Sequence, residues 1–397
     1  MNMSAENPLS KRIKRHVIGR MHKFFAATSP GFEPVCLNEL LSLPVSADAA
    51  AVITGGVEFD GRLVDCYLAN LNLRSANRIL MRIQILKSTN FRQIEKKLLE
   101  VPWELYLQPG DFPKIHVTTK HCRLHHTGAI TQRFQSAISA RLSGITPCGE
   151  NQNISPVQQN IYVRGVDDRF SVSIDSSGEL LYKRGLKKHT GKAPLRETLA
   201  AAALLMAGYD SAEPLLDPLC GSGTFSLEAA LMAKEIPAGW FRDFAFTQWP
   251  SFLTKRWNYI RRQSESGFVR PEQPVVFASD IDPGACQKLK ACLEGFSLSD
   301  TVKVHQKDFF DLDPRTLTDQ TGIICLNPPY GRRLGGRRES EKFFEAICDK
   351  LKQAYTGWKL VLFSPSKKLA SAVPFQTKSY PILHGGLKLV LLVGKIK

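Results

Sequence analysis

The stretch of this chain best suited to chemistry is Asn327-Pro328-Pro329-Tyr330, which follows the apolar run Ile323-Ile324-Cys325-Leu326. Consecutive prolines lock φ and remove their backbone donors, so the carbonyls project rigidly from a strand end. The Asn327 side-chain oxygen and the Pro328 carbonyl can both accept from one planar amino group. Accepting both hydrogens pulls the nitrogen lone pair away from the ring and makes it nucleophilic toward a methyl sulfonium. Pro329 stiffens the turn, and Tyr330 offers a face for stacking a base, a contact worth about 1–3 kcal/mol. Asn327, Pro328, Pro329 and Tyr330 are therefore the candidates for catalysis.

A second stretch, Leu216-Asp217-Pro218-Leu219-Cys220-Gly221-Ser222-Gly223-Thr224, reads as a strand ending at an acid, a glycine loop and a helix start. Gly221 and Gly223 permit a tight turn and let a ligand approach the backbone closely. The loop has no Gly-Lys-Ser/Thr, so no lysine clamps phosphates there. A carboxylate at Asp217 would repel a pyrophosphate and suits a ligand with a positive amino group. That points to the methionine end of S-adenosylmethionine. Asp280, with Ile281 beside it, closes the next apolar run and is placed to take ribose hydroxyls. Asp282 fits a helix cap better. In Lys307-Asp308-Phe309, the acid can accept from an adenine amine while the ring flanks the base. The expected cofactor set is Asp217, Pro218, Cys220, Gly221, Gly223, Thr224, Asp280, Ile281, Asp308, Phe309 and Asn327.

These residues need parallel strands to carry them, because ligands of open α/β sheets bind at the carboxyl ends of the strands. After Gly185 the pattern supplies such strands. A helix at 195–207 leads to strand 215–217, and a helix runs through Glu228 to Ala233. Strand 274–280, helix 285–293, and strands 302–305, 323–326 and 387–394 follow. Strands alternating with helices predict right-handed crossovers and a parallel sheet covered on both faces. From Lys23 to about Tyr182 the elements are shorter and α+β in character. Strands are predicted at 24–28, 55–59, 82–86, 114–118, 160–164 and 171–174, with a turn at Val166-Asp167-Asp168. Helices are predicted at 34–43 and 131–142. Residues 1–22 show no periodic apolar pattern and read as a basic flexible arm.

Lys and Arg number 53 against 37 Asp and Glu, a net charge of +16 over 397 residues. Basic residues cluster at Lys11, Arg12, Lys14, Arg15, Arg20 and Lys23, and again at Arg332, Arg333, Arg337 and Arg338. That distribution is an electrostatic footprint for nucleic acid. Apolar residues make up 43% of the chain and charged residues 23%, which excludes a disordered or collagen-like protein. The longest apolar run, 199–207, has about half the length that a membrane-spanning helix needs. No secretory leader is expected either. The 9 cysteines are scattered and never spaced Cys-x-x-Cys, fitting reduced thiols in a cytoplasm rather than disulfides or a metal site.

Together these residues resemble the Rossmann-fold S-adenosylmethionine-dependent methyltransferases that act on exocyclic amines. More narrowly, the chain is similar to the THUMP-domain RNA guanine-N2 methyltransferases, including the N-terminal methyltransferase half of the bacterial large-subunit ribosomal RNA enzyme. The likeness runs through 24–40, Pro102-Trp103, Gly128-Ala129-Ile130, Lys183-Arg184-Gly185, 193–202, 217–224 and 327–330. The resemblance implies an α/β, Rossmann-like class I methyltransferase domain at 185–397, preceded by an α+β ferredoxin-like and THUMP RNA-binding region at 23–184. It also implies that Arg196 and Glu197 lie near the cofactor. The expected partner is structured RNA, ribosomal before transfer, with no membrane and no obligate protein partner. The Asn-Pro-Pro-Tyr motif by itself suits adenine-N6 methylation on DNA or RNA as well. A non-catalytic RNA-binding assembly factor is the reading from another class.

Overall fold

The computed structural model describes residues 8–45, 49–144, 158–187, 195–329 and 336–397. The first half is built from α1 (Pro8–Ile13), β1 (His22–Thr28), α2 (Glu33–Ser42), β2 (Ala51–Ile53), β3 (Gly56–Gly61) and α3 (Leu63–Asn72). It continues through β4 (Ala76–Lys87), α4 (Phe91–Glu100), β5 (Lys114–Lys120), α5 (Thr127–Leu142), β6 (Asn160–Val166) and β7 (Arg169–Asp175). The strands form one 7-stranded sheet in the order β2-β3-β1-β4-β7-β6-β5. The long β4 is its spine, pairing antiparallel with β1 on one side and β7 on the other. Asp167 and Asp168 both adopt positive φ, 48° and 62°, and so close the β6–β7 hairpin as the expected turn.

The basic segment is not a free arm over its described part. Residues 8–13 are α-helical and Lys14–Ile18 continue as a π-helical turn. Ile13 and Val17, four positions apart, are buried in the core of the first half. Arg12 anchors the helix by an ion pair of 2.8 Å to Glu104. Burial opposes the Glu104 charge, but hydrogen bonds from Arg141 and Arg12 prevail and hold its carboxyl down at about 2. The cluster of basic residues hid this pair of apolar anchors in the sequence.

The second half contains α6 (Glu197–Met206), β8 (Leu215–Asp217), α7 (Thr224–Ala233), α8 (Thr254–Ser266), β9 (Val276–Asp280), α9 (Pro283–Gly295) and β10 (Val302–Gln306). Then come β11 (Ile323–Leu326), α10 (Arg337–Ala354), β12 (Lys359–Ser364), α11 (Lys367–Ser371), β13 (Gln376–His384) and β14 (Leu387–Lys395). The sheet order is β10-β9-β8-β11-β12-β14-β13. The strands from β10 to β12 are parallel, as expected. The end of the sheet departs from that expectation, because β14 runs antiparallel to both β12 and β13. The two-residue loop Gly385-Gly386, with φ of 57° and 82°, can only return the chain as a hairpin. Both faces are covered. Leu215, Ile323, Cys325, Val361 and Phe363 pack with α6, α7 and α9, whereas Leu216, Ile324, Leu326, Leu360 and Leu362 pack with α10.

The halves are not separated cleanly at residue 185. Phe244, Phe246, Trp249 and Trp257 of the second half sit in the core of the first, where Tyr67 stacks on Phe246 at 4.5 Å. Arg184 forms a buried pair with Glu228 at 2.8 Å and also donates to the Arg74 carbonyl at 2.7 Å. This strap sets the first half against the second sheet.

Candidate active site

Strands β10, β9, β8 and β11 lie side by side and parallel, so their carboxyl ends bring Asp308, Asp280, Asp217 and Asn327 to one edge. They surround a cavity of about 440 Å³, within the size range of small-molecule sites. Asp217, Cys220, Gly221, Thr224, Asp280, Ile281, Asp308, Phe309, Asn327 and Pro329 all line it. Pro218, Gly223 and Pro328 are adjacent in sequence but do not line it. Tyr330 lies outside the described residues, as do Arg332 and Arg333. Leu195, Leu219, Ser222, Phe225, Phe310 and Phe343 also line the cavity, and sequence reasoning missed them. Phe310 was within reach of that reasoning, because it directly follows Phe309. Phe343 sits on α10, a helix that carries no motif.

Each acid has its own set of partners. The Asp280 carboxylate accepts from the Gly221 N–H at 2.8 Å and from the Asp282 N–H at 2.9 Å. It therefore shapes the glycine loop as well as facing the cavity. Asp282 caps α9 through the Gly284 N–H at 2.8 Å, as expected. Asp308 accepts from the Phe310 N–H at 2.9 Å. Phe309 is buried to 1% exposure and stacks on Tyr355 at 6.0 Å, so the half-buried Phe310 is the ring more open to a ligand. Ile281, 66% exposed, follows the neighbouring strand β9 and adds an apolar surface to the cavity.

Asp217 is almost fully buried. Burial pushes its carboxyl up to about 7, against the lowering effect of the Ser226 hydroxyl at 2.7 Å and the Ser226 N–H at 3.2 Å. The nearby Asp280 charge raises it further, while Lys187 lowers it. A cation beside this carboxyl would be favoured, since the Ser226 hydrogen bonds and Lys187 do not offset the desolvation of its charge.

The loop geometry depends on its glycines. Gly221, at φ 49°, has no atom within 4 Å of where a Cβ would stand. Gly223, at φ 70°, begins α7 and packs against α9, and a Cβ there would lie 2.3 Å from Leu289. Gly223→Ala is expected to cost about 1–3 kcal/mol through overpacking and left-handed strain, read as a lower denaturant midpoint. An unchanged midpoint would show that the α7–α9 contact relaxes freely.

The structure places Arg196 and Glu197 outside the cavity lining. The Arg196 guanidinium stands over the Tyr182 ring at 5.2 Å. Glu197 pairs with Lys187 at 3.1 Å, and Lys187 donates to the Thr224 hydroxyl at 2.7 Å. Glu197 thus reaches the glycine loop through Lys187, a residue with no sequence signal of its own.

One atom of the site lacks a partner among the described residues: Asn327 Oδ1 is buried and accepts no hydrogen bond from them. An orphaned acceptor on a cavity wall costs about 1–3 kcal/mol until a donor reaches it. With the ammonium-suited Asp217, the open backbone at Gly221 and the apolar Ile281 and Phe310, the residues fit a nucleoside-bearing amino acid and an incoming amine.

Comparison with known proteins agrees. Residues 184–383 match the RMKL-like methyltransferase domain, and residues 23–80 match the RlmL ferredoxin-like domain. The "Putative RNA methyltransferase slr0064" of Synechocystis sp. is 31% identical over 371 residues, covering 93% of this chain and 95% of that protein. The Ribosomal RNA large subunit methyltransferase K/L of Allochromatium vinosum is 32% identical, covering 95% of this chain and 52% of its own length. The chain therefore spans about half the length of that relative. The crystal structure of SMU.472 complexed with SAH has a TM-score of 0.81 and 25% identity, covering 95% of this chain and 99% of that one. The chain belongs to the RMKL-like family of S-adenosylmethionine-dependent methyltransferases, with an RlmL-type ferredoxin-like domain preceding a class I methyltransferase fold.

Proposed function

We propose that this chain methylates the exocyclic N2 amine of a guanine in structured RNA, with large-subunit ribosomal RNA as the substrate. The buried, unpartnered Asn327 Oδ1 at the end of β11 carries the reading. Its lone pairs and the Pro328 carbonyl accept the two amine hydrogens and turn the nitrogen lone pair outward. When bound, S-adenosylmethionine supplies a methyl group on a sulfonium. Asp217 would hold the ammonium, Asp280 the ribose hydroxyls, and Asp308 the adenine amine. Ile281 and Phe310 would offer apolar contact to the adenine ring. Tyr330 supplies the stacking face for the target base. Catalysis would then rest on positioning and on fixed dipoles, with no general base needed before attack, because the carbon–sulfur bond breaks to leave a neutral thioether and the acidic methylated ammonium passes its proton to water.

The RNA half of the proposal rests on the names of the two relatives, on the net charge of +16, and on the ferredoxin-like match. Residues 23–184 would serve as the ferredoxin-like and THUMP RNA-binding region, with the basic residues of 1–22 adding phosphate contacts. Among the described residues no helix is long and apolar enough to cross a membrane, and a cytoplasmic setting belongs to the same proposal. Nucleoside mass spectrometry of RNA from a deletion strain, before and after treatment with the purified chain, tests it. N2-methylguanosine should appear on treatment. N6-methyladenosine in its place would install the adenine reading, and no methylated product would favour the non-catalytic one.

The raised Asp217 carboxyl adds a pH dependence. Because its folded value lies above the ordinary carboxylate range, Asp217 favours the fold most at acid pH, and that contribution is lost as pH rises through about 7. An ammonium partner favours the ionised form, so binding below about 7 must release a proton. S-adenosylhomocysteine should bind roughly tenfold more weakly per pH unit below that point. Calorimetry in buffers of different ionisation enthalpy should register the released proton, and Asp217→Asn should abolish it. Proton-neutral binding at pH 6 by the unaltered chain would contradict the ammonium assignment.

A further inference from the structure

The sheet of the first half has a covered face and an open one. Phe24, Ile79, Met81, Ile161 and Ile174 are buried under the helices. The open face carries a groove of about 720 Å³ that shares no lining residue with the strand-end cavity. Strand register sets Arg82, Ser173, Tyr162 and His116 in one lateral row across β4, β7, β6 and β5. The next row holds Ser171, Arg164 and Thr118. Small serines on β7 make a trough between a guanidinium and an aromatic wall. In that wall the His116 and Tyr162 rings stack at 4.6 Å and 13°, and Arg78 lies 5.2 Å from the Tyr162 centroid.

The charges in the groove favour an anion. Among the described residues no acid lines it, and Glu58 and Asp175 of the same sheet are paired, Glu58 with Arg82 at 2.7 Å and Lys23 at 3.3 Å, and Asp175 with Arg78. Arg164 is exposed and has no ion-pair partner among the described residues. Thr127, Gly128 and Thr131 bring the first turn of the 16-residue α5 to the groove, and that turn has no acid and no side-chain cap. Its free N–H groups add to the positive field.

We propose that this groove takes an unpaired nucleotide of RNA, its base against the Tyr162–His116 pair and its phosphates at Arg164 and the start of α5. Bases are open to stacking on side chains only where they have left a duplex, so the groove selects single strands. This rests on the RNA reading above and adds a second contact point away from the methyl-transfer site.

Fluorescence anisotropy of the full chain with a labelled oligouridylate tests it, with a duplex RNA as control. Tyr162→Ala should weaken single-strand binding about tenfold, the scale of one lost stacking contact, and Arg164→Gln should weaken it several-fold and flatten its salt dependence through one lost phosphate contact. Tyr162→Phe should bind normally, and duplex binding, S-adenosylhomocysteine affinity and thermal midpoint should hold. Arg164→Gln, at an exposed side chain, carries the test should Tyr162→Ala unfold. No oligouridylate binding by the unaltered chain overturns the proposal, as does Tyr162-independent binding. A Tyr162-dependent dimer without RNA would assign the groove to a second copy and overturn it too. Methyl transfer measured on the same preparations separates the two readings. Transfer with Tyr162-independent binding sinks the groove alone, and groove binding without transfer to RNA sinks the function alone.

Discussion

Asn327→Ala should slow single-turnover methyl transfer to RNA by roughly 10²–10³, the penalty for removing one preorganised polar group aimed at a developing charge. Asn327 Oδ1 is a buried acceptor with no partner among the described residues, so truncation removes no hydrogen bond that this oxygen accepts there. The thermal midpoint should therefore stay level or rise slightly, and cofactor affinity should barely move. That separation distinguishes an amine-orienting group from a structural one. Transfer at the normal single-turnover rate would refute the role. Asn327→Asp should also be slow, since a carboxylate in that buried position costs desolvation.

The largest loss of cofactor affinity is expected at Asp280. Its carboxylate holds the Gly221 and Asp282 N–H groups at 2.8 and 2.9 Å while facing the cavity. Asp280→Ala removes a charged acceptor from both donors and from the ribose hydroxyls. Each hydrogen bond to a charged group is worth about 1.5–3 kcal/mol, so the Kd for S-adenosylhomocysteine should rise roughly 10- to 100-fold. Asp280→Asn should recover little, because its amide N–H₂ would meet one of two backbone donors. Asp308→Ala gives the contrast, since among the described residues its carboxylate accepts from the Phe310 N–H alone, and it should cost less. Calorimetric affinities equal to wild type at Asp280 would show that the loop holds the cofactor without it.

Much of the site was legible because its residues punctuate strand ends. An apolar run stopping at Asp217, at Asp280, or just before Asn327 states both the strand and its direction. Parallel pairing then brings those ends together, and the cavity lining contains most of the expected set. Gly221 and Gly223 were legible for the same local reason, since left-handed φ is a property of the single residue. The prolines and the +16 charge also needed no fold to be read.

What the tertiary structure decided depends on neighbours distant in sequence. Burial beside β9 and α7 drives the Asp217 carboxyl to about 7, and only the assembled sheet leaves Asn327 Oδ1 without a donor among the described residues. Lys187 gains its place through Glu197 and Thr224, Phe343 enters the site from α10, and Phe309 turns inward so that Phe310 faces the cavity. The basic segment becomes a docked helix because Ile13 and Val17 find a core and Arg12 finds Glu104. Residues 244–257 cross into the core of the first half on the strength of aromatic packing with Tyr67. The Tyr162–His116 wall arises from register between β5 and β6, strands separated by the whole of α5. Period and composition specify local structure and strand-end chemistry. Burial, orphaned polar atoms and cross-strand pairs are sums over long-range contacts, and the fold alone sets them.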